Sequence, residues 1–458
     1  MSNDNDGVRA GVSIAILATC GVKVSIMQTI VVPLLPLFPS IMGVAPSTAA
    51  WLVTATLLAG AVAAPVLGRL GDMFGKRRLL VVSLGLVVVG SVIGALAPNI
   101  GVLIAARAVQ GASLAVIALG MSLMRDVLPP ERVGHGVALT SSSLGVGGAL
   151  GPPVSGLVVE WASWRWLFAA GAVVAVVQLL LVAAVVPESP LRSGGRFDLI
   201  GAGGLTLALT SLLLGISKGH EWGWGSPLVI GLLGGAVVAL LLWGRYELSR
   251  PSPLVDLTVS ARRAVLLTNV YTVLAGFAMF VPFMLATQIL QAPPATGFGF
   301  ALSPALAGVL LIPVGAAMMI FPTVSAVLSR RRGARVTLVV GTSLIALGAL
   351  GIATRPGSVG LLVAVAAVGA TGAALAYSAL PLLIMQAAPE GETATANSVN
   401  TLMRQIGTSL CTAVVASVGS AMTVHIGGDV LSGAGAVSTI FVIAAASAAL
   451  AAILAGCG

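Results

Sequence analysis

Charge is scarce in this chain. Asp, Glu, Lys and Arg together make up 8% of its 458 residues, too few to wet the surface of a water-soluble fold of that length. Aromatic residues are also few, at 5%, with three tyrosines, and there are three histidines and three cysteines. The cysteines, Cys20, Cys411 and Cys457, are scattered without disulfide or metal-ligand spacing, so neither a redox compartment nor a metal site is read from them. His135, His220 and His425 read as loop residues. No His-Glu-x-x-His run occurs and no paired acids fall inside an apolar stretch, which argues against an enzyme embedded in a membrane. No filter-like sequence or ring of charge speaks for a channel. The expectation is a protein with no catalytic residues, no metal and no cofactor.

Apolar residues make up 58% of the chain, and mean hydropathy is +1.08. Apolar runs of about 20 residues, enough for a helix to cross a hydrocarbon core, recur almost to the C-terminus. Read between breaks they predict fourteen spans, at about 11–38, 48–67, 79–96, 101–124, 136–159, 164–186, 199–216, 228–243, 264–290, 303–328, 336–353, 360–386, 398–422 and 436–455. The 57 glycines and 24 prolines sit inside these runs, where small residues let helices approach and kinks are tolerated. The first run is longer than a signal-peptide core and lacks a small-residue cleavage site, so it reads as a retained helix.

The net charge of +9 would suggest nucleic acid in a soluble protein, but here the bases cluster in short turns between spans. With a cytoplasmic N-terminus, seventeen of the 23 Lys and Arg fall on the inner side, and Lys218, Arg165 and Arg355 on the outer side or rim. The asymmetry places both termini in the cytosol of a multi-pass protein of the cell membrane. The remaining three, Lys23, Arg107 and Arg404, fall within spans.

Two turns repeat. Gly68-Arg69-Leu70-Gly71-Asp72-Met73-Phe74-Gly75-Lys76-Arg77-Arg78 follows the second span, and Ser329-Arg330-Arg331-Arg332-Gly333-Ala334-Arg335 follows the tenth, each a basic turn with a glycine before the last bases. This implies an all-α carrier of two six-helix bundles, 1–190 and 264–458, with a central pair of extra helices in 191–263. In the first turn Asp72 can cap a helix start or pair with a base, while Lys76, Arg77 and Arg78 hold the loop cytoplasmic.

A topological anchor needs the bases but not Gly-x-x-Gly-Asp-x-x-Gly, formed here by Gly68, Gly71, Asp72 and Gly75. In this the chain resembles the major facilitator superfamily, whose loop between helices 2 and 3 carries the pattern. The resemblance implies that Asp72 latches the cytoplasmic gate. The run Leu103 to Gly111, with Arg107 and Gln110 on one helix face, is similar to the family's second motif, where the arginine has been linked to proton transfer; a structural cation bonded to carbonyls is the equal alternative. Gly147-x-x-x-Gly151-Pro152-x-x-Ser155-Gly156 is similar to the signature of the antiporter branches, with Ser155 in place of a glycine. Its stripes of small residues allow close packing, and the Pro152-Pro153 pair can bend the axis. Together with fourteen spans, Trp161-x-x-Trp164-Arg165-Trp166 at an outer interface and the Trp222-Gly-Trp224-Gly loop, the chain resembles the fourteen-helix drug:proton antiporter branch.

One departure matters. Where that branch often carries an aspartate in helix 1, before Thr29-Ile30-Val31, this chain has Met27, and none of its fourteen acidic residues falls near the middle of a span. Lys23 does, one turn before Met27, too far along the helix to snorkel. An electropositive cavity around Lys23 and Arg107 would favour neutral or anionic substrates; the equal alternative is that Lys23 turns toward a neighbouring helix and bonds carbonyls there. Gln28, Gln110, Tyr271, Phe277, Gln288 and Tyr377 are further cavity candidates, because polar or aromatic groups in spans need a partner or a ligand. The expected protein is a monomeric exporter of drug-like molecules or metabolites by alternating access, with protons as coupling ion. Its partners are the small-molecule substrate and the bilayer, with no nucleic acid. An uptake or facilitated carrier without proton coupling stands beside it.

Overall fold

The structure, a computed structural model, describes residues 2–31, 34–35, 37–194, 196–250, 253–354, 357–388, 393–426 and 429–457. Arg355, Glu390 and Glu392, and Val32, Pro33 and Pro36 of the first-span run, lie outside the described residues. Apart from an antiparallel hairpin, β1 (Thr423–Ile426) with β2 (Asp429–Ser432), the regular structure is helical.

The chain forms two compact units. The first comprises Met1–Leu212, Gly235–Val265 and Ile384–Leu402. It contains α1 (Ser2–Thr29), α2 (Phe38–Met42), α3 (Pro46–Phe74), α4 (Lys76–Leu96), α5 (Ile100–Gln110), α6 (Ser113–Val127), α7 (Pro130–Trp161) and α8 (Arg165–Val185). The start of α9 (Leu199–Trp222), the end of α10 (Pro227–Leu248) and α11 (Leu257–Ser260) complete it. The second unit comprises Leu213–Gly234, Leu266–Leu383 and Met403–Gly458. It contains most of α12 (Arg263–Gln291), α13 (Pro304–Leu310), α14 (Ile312–Arg332), α15 (Ala334–Ala353), α16 (Val359–Ala387), the later part of α17 (Thr393–Ala421), the hairpin and α18 (Ala434–Cys457).

Twelve helices among the described residues are long and apolar enough to cross a membrane, so the predicted count of fourteen is not reached. The two predicted spans outside this set are 136–159 and 398–422, which fall on α7 and α17. Both have the length; in α17, Ser, Thr and Asn dilute the apolarity on which a span is recognised, and many α7 side chains lie outside the described ones. The first span is also shorter than predicted: α1 ends at Thr29, where Pro33 and Pro36 follow with no amide to continue the helix.

The repeated turns have the same backbone. α3 ends at Phe74 and α14 at Arg332; Gly75 (φ 114°) and Gly333 (φ 92°) then take a conformation open to glycine, and α4 and α15 begin at the next residue. In each, the glycine amide donates to the carbonyl four residues back, Gly71 or Ser329. Inside the units, small residues set the spacing. A Cβ on Gly90 would stand 2.8 Å from the Ala106 carbonyl oxygen in the first unit, and one on Gly348 would stand 2.6 Å from Gly369 Cα in the second. Trp164, read from the sequence as part of an interfacial belt, is instead buried edge-on to Phe38 (5.5 Å) and Phe168 (5.9 Å), while Trp161 and Trp166 are exposed. The run Gly215-Ile216-Ser217-Lys218-Gly219 has the spacing of a hydrolase elbow but lies within α9 rather than at a strand-to-helix turn.

Candidate functional site

Asp72 sits in the last turn of α3, fully buried. Its carboxylate accepts from the backbone N–H of Ala394 (3.2 Å) and Thr395 (2.8 Å) and from Thr395 Oγ1 (2.8 Å). These are first-turn amides of α17, which have no partner within the helix, so Asp72 both satisfies them and meets the positive end of the helix dipole. Lys76 Nζ lies 3.5 Å from Asp72 Oδ1, donates to Thr393 Oγ1 at 2.9 Å, and is hydrogen-bonded to Asp126 at the end of α6. Ser189 Oγ also donates to Asp126. Two carboxylates and one ammonium are thus buried together, each with hydrogen-bond partners that offset its desolvation. Asn397 Nδ2 donates to Ser122 Oγ at 3.0 Å, holding the next turn of α17 on α6.

The start of α4 is capped by a different acid. Glu188 accepts from the N–H of Arg77 (2.8 Å) and Arg78 (3.2 Å), and a Cβ on Gly75 would stand 2.8 Å from Glu188 Oε2. Gly68 and Gly71 are equally constrained, by Ser398 and by Leu119. The Arg77 guanidinium donates to the Val186 carbonyl at 3.2 Å.

Arg107 of α5 is buried. Its Nε donates to the Leu52 carbonyl (3.1 Å), and one terminal nitrogen donates to the Met27 carbonyl (3.0 Å) and to Gln110 Oε1 (2.8 Å). Gln110 Nε2 in turn donates to Ser91 Oγ at 2.9 Å. One guanidinium therefore ties α1, α3 and α5 together, and through Gln110 reaches α4. One turn before Met27 on α1, Lys23 is also buried; among the described residues its hydrogen-bond partner is the Met27 thioether at 3.6 Å.

Along α7, Gly147 and Gly151 face α1. A Cβ on Gly147 would run into Ser25 and the Ile26 backbone, one on Gly151 into the Thr29 hydroxyl, and Thr29 Oγ1 donates to the Gly147 carbonyl at 2.9 Å. Gly156, two turns beyond Gly147 in the same motif, has nothing within 4 Å of its Cβ position. Gly147→Ala is expected to destabilise the protein by about 1–3 kcal/mol, through overpacking against a backbone that cannot yield. Gly156→Ala is expected to stay within about 0.5 kcal/mol of wild type. Thermal unfolding of the two variants in detergent checks the contrast. The Pro152 side chain lies outside the described ones.

A model of the Major Facilitator Superfamily matches residues 17–412, most of the chain. The protein belongs to the major facilitator superfamily. Its relatives in that superfamily include the "Multidrug resistance protein Stp" of Mycobacterium tuberculosis, 28% identical over 374 residues that cover 80% of this chain and 68% of the relative. The "Multidrug resistance protein B homolog" of the same organism is 28% identical over 420 residues, 88% of this chain and 76% of that one. Among solved superfamily structures, the human organic anion transporter MFSD10 (TETRAN) has a TM-score of 0.68 at 18% identity, covering 97% of this chain and 99% of that one. The proton:xylose symporter XylE has a TM-score of 0.69 at 14% identity, with 98% and 95% covered. At these identities the likeness speaks to the fold alone. The chain is thus a multi-pass membrane transporter of small molecules and not an enzyme, as read from the sequence.

The residues read from the sequence as superfamily candidates divide between the units. Lys23, Gln28, Arg107 and Gln110 lie in the first, and Gln28 Nε2 is buried without a hydrogen-bond partner among the described residues. Tyr271, Phe277, Gln288 and Tyr377 lie in the second. There the Tyr271 hydroxyl donates to the Leu454 carbonyl at 2.9 Å, Phe277 is part of the apolar core, and Gln288 is exposed. Arg404 stacks over Tyr377 at 5.2 Å, an association between residues with no revealing spacing along the chain. None of the eight lines the groove of about 590 Å³ beside α3 and the start of α9, which is apolar. Thr393, Thr395, Asp126 and Glu188 escaped the sequence reading, because no local pattern joins them to a turn more than 50 residues away.

Proposed function

We propose that this superfamily transporter exports drug-like molecules or metabolites by alternating access, in exchange for protons. The observation that carries the reading is the pair of buried cations in the first unit, Arg107 and Lys23. Arg107 has carbonyls and an amide oxygen as partners, and Lys23 has a thioether. A buried ammonium without an anion is costly, so Lys23 is the group that gives up and regains a proton as the cavity opens and closes. Arg107 remains charged throughout and favours neutral or anionic cargo. The names of the mycobacterial relatives and the α1–α7 glycine seam add weight to export of drug-like compounds. The Asp72 cluster supplies the gate: it grips the first turn of α17, a helix whose remainder belongs to the second unit.

In this reading α7 and α17 also cross the membrane, giving fourteen spans arranged as bundles 1–190 and 264–458 with a central pair in 191–263. The polar residues of α17 that lower its hydropathy, among them Asn397, Ser398, Asn400, Thr401 and Gln405, are buried in protein rather than turned to lipid. The basic turns and both termini lie in the cytosol of the cell, and the monomer is the working unit. Cysteine labelling from either side at Glu131 and Trp161, which flank α7, tests the crossing; labelling of both from one side rejects it.

The second reading is facilitated or uptake carriage of a neutral or anionic metabolite without proton coupling, favoured by the lack of a carboxylate among the partners of Lys23 and Arg107. Substrate added to inverted vesicles separates the two. Collapse of an imposed pH gradient supports exchange, and flux that ignores the gradient supports facilitation. Lys23→Ala is expected to abolish proton release while leaving gradient-independent flux, and an unchanged pH dependence of transport would reject the role of Lys23.

A further inference from the structure

Two acids at the joined ends of α9 and α10 form a cluster that the transport reading does not use. Asp198 precedes α9, and Glu247 lies in the last turn of α10. Each carboxylate has one satisfied oxygen. Asp198 Oδ1 accepts from the Gly201 N–H (2.9 Å) and the Tyr246 hydroxyl (3.1 Å), and Glu247 Oε1 accepts from the Val255 N–H (2.8 Å). The other two, Asp198 Oδ2 and Glu247 Oε2, are buried and have no hydrogen-bond partner among the described residues. They converge: both lie 2.8 Å from the point where a Cβ on Gly201 would stand, and so are separated by no more than twice that distance. Glu247 is 1% exposed.

Gly201 is itself pinned. Trp243 of α10 donates its indole N–H to the Gly201 carbonyl at 2.8 Å, and a Cβ on Gly204 would stand 3.1 Å from the same ring. The helix ends are thus held together at the place where the two oxygens face each other. Two ionised carboxylates facing each other across this space, one of them almost fully buried, repel, and carboxylate pairs in closer contact elsewhere hold a single proton.

The charged and titratable groups around the pair decide what fills it. Arg69 of α3 interacts electrostatically with Glu247. Arg250 stacks on Tyr246 at 4.2 Å, and Tyr246 donates to Asp198. Arg250 is held on the Tyr246 ring rather than on either carboxylate, so Arg69 alone is set against the pair; it offsets one of the two negative charges, and one proton neutralises the other. A divalent cation would leave an excess of positive charge and would need six or more oxygens, whereas no group of three or more His, Cys, Asp or Glu able to hold a metal occurs among the described residues.

We propose that Asp198 and Glu247 bind one proton between them, forming a proton-binding site in the central helix pair. It is separate from the Lys23 and Arg107 interior and does not rest on the direction or coupling of transport. With the proton in place the unpartnered oxygens hydrogen-bond and clamp α9 to α10; without it the helix ends repel.

The sign follows from linkage. A proton held in the folded protein and absent from the unfolded one at the same pH makes stability fall as pH rises towards release of that proton. The test uses the full-length protein in nanodiscs. Infrared spectra at neutral pH are expected to show a protonated-carboxyl C=O band that disappears in both Glu247→Gln and Asp198→Asn. The thermal midpoint is expected to fall from mildly acidic to mildly alkaline pH in wild type, and to stay flat in both variants. Gly201→Ala, which places a methyl between the oxygens, is expected to shift the band and reduce the slope without removing a titratable group. Retention of the band in both carboxamide variants, a wild-type midpoint with no such slope, or a stoichiometric metal released by a chelator would each overturn the proposal. If either carboxamide variant fails to fold, the other and Gly201→Ala still decide it.

Discussion

Lys76→Ala should abolish transport and markedly lower the thermal midpoint, the largest loss expected from any single substitution in the basic turns. The ammonium lies among Asp72, Asp126 and Thr393, and all three charged groups are buried. Removing it leaves two carboxylates facing each other out of water. Breaking a buried ion pair from one side costs about 3–5 kcal/mol, because the remaining charge is neither solvated nor paired. Lys76→Arg keeps the charge and should retain part of both stability and flux, although its planar fork does not reproduce a point charge. Asp72→Asn added to Lys76→Ala should recover stability, since it removes one of the two stranded charges. One of the two α17 amides would still be served by the Asn oxygen, while the other, bound to the second carboxylate oxygen in the wild type, would lose its acceptor. A double-mutant cycle on the thermal midpoint, with flux measured on the same preparations, checks all three. Additive effects of the two substitutions would show that the cluster is not a unit.

The second large effect is expected at Arg107. Arg107→Ala takes one donor from the carbonyls of Leu52 and Met27 and leaves Gln110 Oε1 without its partner; the Leu52 carbonyl keeps Thr56 Oγ1 at 3.0 Å, so the cost of roughly 1–3 kcal/mol for a buried polar group without its partner falls on Gln110. It also frees α1, α3 and α5 from their common tie. Transport should fall to background. Arg107→Lys is the more informative variant: it preserves the positive charge but cannot hold three acceptors in the geometry of the guanidinium fork. Its fold should survive, with flux reduced about tenfold or more and with the discrimination between anionic and cationic cargo retained. Loss of that discrimination in the lysine variant would mean that geometry rather than charge selects the substrate.

Much of this was legible in the sequence. The turn from Gly68 to Arg78 could be placed because its constraints are local: a glycine at positive φ, a run of bases, and an acid near a helix end. Gly75 and Gly333 bear this out, with matching backbones at the ends of α3 and α14. Arg107 and Gln110 were paired by helical spacing alone, and they do hydrogen-bond. The helix capped by Asp72 was not legible, because α17 begins more than 300 residues later and nothing in its sequence singles out Ala394 and Thr395. Twelve of the fourteen spans read from the sequence are recovered by length and apolarity among the described residues, for a related reason. Hydropathy sees composition but not direction, so it cannot distinguish the buried Asn, Ser and Thr of α17 from residues that would face lipid. Tyr271 stands among the cavity candidates as an aromatic group within a span, and its hydroxyl donates to the Leu454 carbonyl, a partner on α18 that no local pattern indicates.

Alternating access by a carrier is tested most directly by counterflow in proteoliposomes. The purified protein is reconstituted with unlabelled compound inside, and trace labelled compound is added outside without any ion gradient, across a panel of neutral, anionic and cationic molecules. A single site exposed to one side at a time should give transient accumulation of label for at least one neutral or anionic compound, and Lys76→Ala should give none. Folded wild-type protein that shows no counterflow for any compound, or only passive leakage of label down its gradient, would contradict the account.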